Sequence, residues 1–378
     1  MTVYFDYNAT SPLDPAVLEA MLPFLRQPIG GNASSRHAPG RAARAAVERA
    51  REQVAALVGA APREIVFTSG GTEANNLAIK GIAATWRSGS LLVSAIEHSS
   101  VLAPARALAA AGWRILEVLP DEDGRIPPER VSAALAPDTR LVSIMWANNE
   151  TGVIQDVAAC AALTGERGVA FHSDAVQAAG KVPVDTGLPG LGLASLSAHK
   201  IGGPQGVGAL VVDSALDLEP LLHGGGQEGG RRSGTENVAG IVGFGQAAEL
   251  AAARLGEARR LAELRTRLEQ GLSGMPGVEI FGAQAERLPN TVFFAVDGVD
   301  GSTLLLLLDE AGYAVSSGSA CGSGRPEPSH VLLAMGAERE RAFGALRVSL
   351  GAGNRAEEVD GFVAVLAERV RLLRGMAV

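Results

Sequence analysis

Residues 64–86 read EIVFTSGGTEANNLAIKGIAATW. The first six, EIVFTS, place isoleucine, valine and phenylalanine in a row and read as a strand. Two glycines break it, and the residues from Gly71 to Trp86 read as a helix. The same alternation continues outward. Apolar strand-like runs recur at SLLVSAIE (90–97), WRILEVLP (113–120), RLVSIMWAN (140–148), GVAFHSD (168–174), LASLSAH (193–199) and VGALVVD (207–213). Most are separated by helix-length segments. Repeated β-α-β units predict an α/β fold with a mainly parallel sheet covered by helices on both faces. This large domain is expected over residues 14–250.

The rest, residues 1–13 and 251–378, predicts a smaller α+β domain. An Ala-rich, charged stretch over 240–272 reads as a connecting helix with a break. It leads to the strand NTVFFAV (290–296), a leucine-rich helix from Ser302, a glycine–serine loop, the strand ALRVSL (345–350) and a terminal helix from Arg355.

At 378 residues, 47% apolar and 20% charged, the chain has ample material for a core. A formal net charge of −8 argues against nucleic acid or an anionic membrane as main partner. The start, MTVYFDYNATSPLD, lacks a basic region followed by an apolar run, so no secretory signal is expected. The leucine run 304–308 is too short to span a bilayer. Two cysteines cannot build a disulfide framework or a cysteine-rich zinc site, and a reducing cytoplasm fits best.

One of those cysteines, Cys321, lies in AVSSGSACGSGRPEPSH (314–330), a composition typical of a surface loop rather than a core. The other, Cys160, sits among small apolar residues and reads as core packing. Lys200 follows a strand and precedes glycines. A lysine there can be an activated amine or an ordinary solvated side chain. Asp174 ends a strand, where open α/β sheets place ligands, although a helix cap would look the same. A metal site from His98, His172, Asp174 and His199 lacks the spacing of metal motifs, and none is expected. Gly70, Gly71 and Thr72 put backbone N–H groups at a helix start, which suits a phosphate or simply a turn. Arg347 alternates with Leu346, Val348 and Leu350, so it faces a pocket or solvent.

Together these segments resemble the pyridoxal-phosphate-dependent cysteine desulfurases of the class V aminotransferase superfamily, with their fold-type I architecture. The resemblance rests on DYNATSPLDP, GNASSRH, FTSGGTEANN, SAIEHSSVL, SIMWANNETGVIQDV, FHSDAVQAAGK, SLSAHKIGGPQGVGAL, GGGQEGGRRSGTENV, LPNTVFF, VSSGSACGSG and EPSHVLLAMG, in family order over nearly the whole chain. It implies that Lys200 is the Schiff-base lysine, that Asp174 keeps the pyridine nitrogen protonated, and that His98 stacks on the ring and moves protons. Asn149 and Gln177 would bond the phenolic oxygen. Gly71, Thr72, Ser197 and His199 would hold the phosphate. Thr235 would reach the phosphate of a neighbouring subunit, which implies a homodimer. Arg347, with Asn32 and Asn149, would hold the carboxylate of L-cysteine. Cys321 would take the sulfur as a persulfide, release L-alanine and pass the sulfur to an iron–sulfur scaffold or sulfurtransferase.

Two departures from the family pattern stand out. Tyr7 replaces a more usual asparagine, and Ile201-Gly202-Gly203-Pro204-Gln205 lacks the usual aromatic residue and lysine; neither position is assigned a role. A transaminase of the same fold needs no loop thiol, so Cys321 argues against it. Selenocysteine lyase activity stays open. An interaction protein without cofactor would have little need of Lys200 and Asp174 together.

Overall fold

A computed structural model describes residues 2–26, 31–317 and 327–376. The strands in chain order are β1 (Val3–Tyr4), β2 (Ile65–Thr68), β3 (Ser90–Ser94), β4 (Arg114–Val118), β5 (Thr139–Ser143), β6 (Ala170–Asp174) and β7 (Leu193–Ser197). They continue as β8 (Gly208–Val212), β9 (Val278–Ile280), β10 (Thr291–Val296), β11 (Tyr313–Ala314), β12 (Ser316–Ser317) and β13 (Leu346–Ser349).

Seven of them form one sheet in the order β2-β8-β7-β6-β5-β3-β4. β7, β6, β5, β3 and β4 pair in parallel. β8 runs against both its neighbours, so β2 shares the common direction. Alternate side chains enter two separate cores. Phe67, Leu92, Val142 and Phe171 pack on one face. Leu91, Val93, Leu141, Leu193 and Leu210 pack on the other. A sheet buried on both faces gives near-continuous apolar runs, which explains why its strands were legible in the sequence.

A second sheet is antiparallel, β12-β13-β10-β9. Its core joins Val292, Phe294, Leu346 and Val348 to Leu268 and Leu272 of the helix Ala258–Ser273 and Phe362 and Leu366 of the helix Ala356–Met376. The expected break in the connecting helix falls between Val238–Ala253 and Ala258–Ser273, where a single 3₁₀ turn intervenes. Among the described residues no helix is long and apolar enough to cross a membrane.

The N-terminal segment ties the two sheets together. β1 pairs with β11, and Asp6 then bridges to Ser349 of β13. From there residues 8–11 run across to the loop after β7: Ser11 N–H donates to the His199 carbonyl at 2.8 Å. Tyr7, without an assigned role in the sequence reading, is packed hard against Gly351. A Cβ at position 351 would lie 2.1 Å from its ring. Replacing Gly351 by alanine should therefore push the tyrosine aside and cost about 1–3 kcal/mol. Chemical denaturation of Gly351→Ala, Tyr7→Ala and the double variant should show the two changes to be less than additive. Strict additivity would show that the contact carries no strain when a methyl group is added.

Candidate active site

The parallel strands deliver their C-terminal ends to one side of the large sheet, and there a cavity of about 250 Å³ opens. Open α/β sheets bind ligands at this edge because strand ends and helix N-termini converge there. Asp174, the last residue of β6, lines the cavity and is 5% exposed. Its Oδ1 accepts the Val176 N–H at 3.0 Å and its Oδ2 accepts Asn75 Nδ2 at 2.6 Å. The same Asn75 nitrogen donates to Ser100 Oγ at 2.7 Å, and Ser100 lies 2.7 Å from His98 Nδ1. His98 caps the helix Ser99–Ala109 through that nitrogen, which accepts the Ser100 N–H. Burial holds His98 below the ordinary histidine range. Asp174 opposes that shift, while Lys200 and His330 add to it.

Lys200 lies in the 3₁₀ turn Ala198–Lys200 immediately after β7. Its Nζ donates to the carbonyls of Asn8 and Ala9, each at 2.7 Å. Gln177 donates to the same Asn8 carbonyl at 2.9 Å, and its Oε1 accepts from Lys181 at 2.7 Å. A lysine has no acceptor and a carbonyl no donor, so these two partners fix the orientation of the Gln177 amide.

The cavity also offers a place for an anion. Gly70 precedes the helix Gly71–Ala84 and caps it with no side chain, leaving N-terminal N–H groups for a ligand. A Cβ on Gly71 would stand 2.8 Å from Val176 Cγ2, so only glycine lets the backbone sit this close. Thr72, Ser197 and His199 line the cavity with it. The His199 ring, 3.1 Å from Thr10 Oγ1, is pushed down to about 4 by burial and by Lys200.

Asn149 also lines the cavity, and its carbonyl accepts Arg347 Nη1 at 2.9 Å. Arg347 itself is 6% exposed and does not line this cavity; its Nη2 pairs with Asp6 Oδ1 at 2.7 Å. Asn32 is exposed in a turn, with Oδ1 bound to the Ser34 N–H. Thr235 is exposed on the loop before the helix Val238–Ala253. Neither is among the residues lining the cavity. Cys321 lies outside the described residues. Cys160 is fully buried, and burial pushes its thiol up to about 12.

His172 is buried between the hydroxyls of Ser143 (2.8 Å) and Ser195 (3.0 Å), and desolvation holds it near 4. Among the described residues no group of three or more His, Cys, Asp and Glu could hold a metal ion.

Three contributors escaped the sequence reading. Asn75, one turn into the helix after Gly71, joins Asp174 to Ser100, and its Oδ1 is buried without a partner among the described residues. Asn8 organises Lys200 and Gln177; DYNAT was part of the resemblance, but its asparagine offered no chemistry of its own. Glu97, beside His98, is fully buried. Its Oε1 accepts Ser94 Oγ and the Met145 N–H, each at 2.6 Å, and its Oε2 has no partner among the described residues.

The chain belongs to the class-V aminotransferases: the family's model, Aminotransferase class-V, matches residues 3–362. Within the family the chain sits with the cysteine desulfurases. It is 48% identical to the protein named cysteine desulfurase IscS of Anaeromyxobacter sp. (strain Fw109-5), over 99% of this chain and 94% of that one. A solved structure described as a NifS-like protein superposes with a TM-score of 0.91 at 40% identity, covering 98% of this chain and all of that one. A structure of SspA in complex with cysteine superposes with a TM-score of 0.82 at 33% identity, over 93% of this chain and 99% of that one.

Burial raises the Glu97 carboxyl to about 8, Asp174 adds to the rise, and the bonds from Ser94 and Met145 only partly oppose it. The folded protein therefore keeps a proton that the unfolded chain releases near 4.5. Stability contributed at this position falls as pH rises from about 4.5 to about 8 and is level above that. Glu97→Gln, which cannot ionise, should gain on the wild type across that window. Thermal unfolding should show the variant's relative Tm higher at pH 8 than at pH 5. A difference independent of pH would show that Glu97 does not titrate in this window.

Proposed function

We propose that the chain converts L-cysteine to L-alanine with pyridoxal 5′-phosphate and transfers the sulfur, as a persulfide on Cys321, to an acceptor protein. The observation that carries this reading is the meeting of Asp174, His98 and Lys200 at one cavity that an uncapped helix N-terminus also lines. The cavity fits the group: a carboxylate for a ring nitrogen, an amine for an aldehyde, and N–H groups with the close approach at Gly71 for a phosphate. The bound cofactor supplies an aldehyde carbon and a cationic ring that draws electrons from the substrate Cα.

The chain's own residues do the rest. Asp174 holds the proton on the ring nitrogen. Gln177 offers an N–H to the ring oxygen, and Asn149 stands at the same wall. Gly71, Thr72, Ser197 and His199 hold the phosphate. Lys200 takes and returns the proton at the substrate Cα. Arg347, with Asn32 and Asn149, grips the substrate carboxylate. The Cys321 thiolate attacks the substrate sulfur: an S–S bond forms, the substrate C–S bond breaks with its electron pair left on Cβ, Cβ takes up a proton to become a methyl group, and L-alanine leaves. Thr235 reaches the phosphate of a second copy, so the working form is a homodimer. The acceptor is a protein of iron–sulfur cluster or other sulfur-cofactor biosynthesis, and the protein works in the cytoplasm.

Lys200→Ala should lose the visible absorbance of the loaded wild type. Cys321→Ser should keep that absorbance and still respond spectrally to L-cysteine, but accumulate no alanine. Wild-type protein treated briefly with L-cysteine should gain one reductant-labile sulfur on the peptide carrying Cys321. Alanine production by Cys321→Ser at the wild-type rate would refute the persulfide step, and a fully active monomer by light scattering would refute the shared site.

A further inference from the structure

Arg347 stands on β13, flanked by Phe293 of β10 and Ser316 of β12, and its side chain leaves the sheet on the face opposite the Leu346 and Val348 core. Two of its three nitrogens have partners. Nη1 donates to the Asn149 carbonyl at 2.9 Å, Nη2 donates to Asp6 Oδ1 at 2.7 Å, and Nε is buried with no partner among the described residues. The ion pair is enclosed: the two side chains are 7% and 19% exposed. Nε and Nη2 together form the side edge of the guanidinium, the edge that meets a carboxylate bidentately. Asp6 occupies one half of that edge and leaves the other without an acceptor.

A long arginine in a site pays side-chain entropy unless something else fixes it. Here two anchors on different elements do so. Asn149 belongs to the loop that follows β5, and Asp6 to the N-terminal segment that bridges to Ser349, two residues beyond Arg347. Asp6 is placed there by backbone pairing: the Phe5 carbonyl accepts the Ser349 N–H at 2.7 Å, and Tyr7 N–H returns a bond to the Ser349 carbonyl at 3.1 Å. The carboxylate is therefore as fixed as the strand it bridges.

We propose that Asp6 is a positioning residue that sets the affinity for the substrate carboxylate by holding Arg347 in its gripping orientation. The proposal rests on the reading that Arg347 binds that carboxylate. Asp6 acts through Arg347 alone. Its removal weakens only ligands that carry a carboxylate and leaves the amine-binding and ring-binding parts of the site untouched. Asp6→Asn keeps an oxygen acceptor for Nη2 and so keeps the orientation, whereas Asp6→Ala removes the anchor.

The test uses the full-length, cofactor-loaded protein with Cys321→Ser to prevent turnover. Dissociation constants come from the change in visible absorbance on titration with L-cysteine and with cysteamine, which lacks the carboxylate. Asp6→Ala should weaken L-cysteine by about tenfold or more, the scale of a lost charge-assisted contact, and leave cysteamine within about threefold. Asp6→Asn should bind both ligands within about threefold of the parent. Arg347→Gln serves as the control and should lose L-cysteine selectively. If Arg347→Gln binds L-cysteine normally, the carboxylate role of Arg347 itself falls. If Arg347→Gln loses it but Asp6→Ala does not, the role of Asp6 is overturned and that of Arg347 stands. If Asp6→Ala weakens both ligands equally, Asp6 is a strut for the fold and the proposal is likewise overturned.

Discussion

The site hangs on one buried amide. Asn8 is 1% exposed, and every polar group it carries is used. Its N–H donates to Ser349 Oγ on β13 at 3.0 Å, and its Nδ2 donates to Thr291 Oγ1 on β10 and to the Asn149 carbonyl. Its Oδ1 accepts Lys181 and Asn290, and its carbonyl accepts Gln177 and Lys200. A buried polar group left unpaired costs about 1–3 kcal/mol, so a residue with seven bonds to seven partners is held in a single pose. Those partners come from the small antiparallel sheet, from Asn290 just before β10, and from the segments that follow β5, β6 and β7 of the large sheet. Asn8 therefore fixes the small antiparallel sheet against the cavity that the large sheet builds. Asp6, two residues earlier on the same segment, does the same for Arg347.

The second constraint is electrostatic. Lys181 donates only to neutral oxygens, and no carboxylate pairs with it among the described residues. Desolvation pushes its amine well below the ordinary lysine range, and the neighbouring charges of Lys200 and Arg347 push the same way. Lys181, Lys200 and Arg347 thus crowd around Asn8 in a chain whose formal net charge is −8. Global charge is a poor guide here, since a desolvated cluster acts at short range where screening is weak. Each cation gains when an anion enters, and the ligands proposed for this site bring two: a phosphate and a carboxylate.

The legible part of the molecule was the part with periodicity. Phe67, Leu92 and Val142 belong to strands buried on both faces, so their runs stood out, and Asp174 and Lys200 could be placed at or just beyond strand ends. The order of the sheet was not legible: β8 returns antiparallel between β2 and β7, and nothing in GALVV distinguishes it from a parallel neighbour. Nor were Asn8, Asp6 and Glu97 legible as site residues. Asn8 meets Thr291 and Ser349 across 283 and 341 residues of chain, and such pairings leave no local pattern. Glu97 was hidden by a sound prior, since glutamate is rarely buried without a cationic partner. Only the fold reveals that Ser94 and the Met145 amide receive it.

The directions of the hydrogen bonds also decide what Asp174 and His98 can exchange. Asn75 Nδ2 donates to both Asp174 Oδ2 and Ser100 Oγ, so the amide faces two acceptors and carries no transferable proton between them. Ser100 then has its hydroxyl hydrogen left for His98 Nδ1, which already accepts the Ser100 N–H. With Nδ1 an acceptor, a neutral His98 carries its proton on Nε2. The chain Asp174–Asn75–Ser100–His98 therefore orients the imidazole without relaying protons to it. Burial together with Lys200 and His330 disfavours the imidazolium. A neutral imidazole can lie against a cationic ring with attraction from its π face, where an imidazolium would be repelled. Asn75, invisible as chemistry in the sequence, thereby separates two roles in the proposed reading: the carboxylate would act on the ring nitrogen, while the histidine keeps a neutral face and an Nε2 proton of its own.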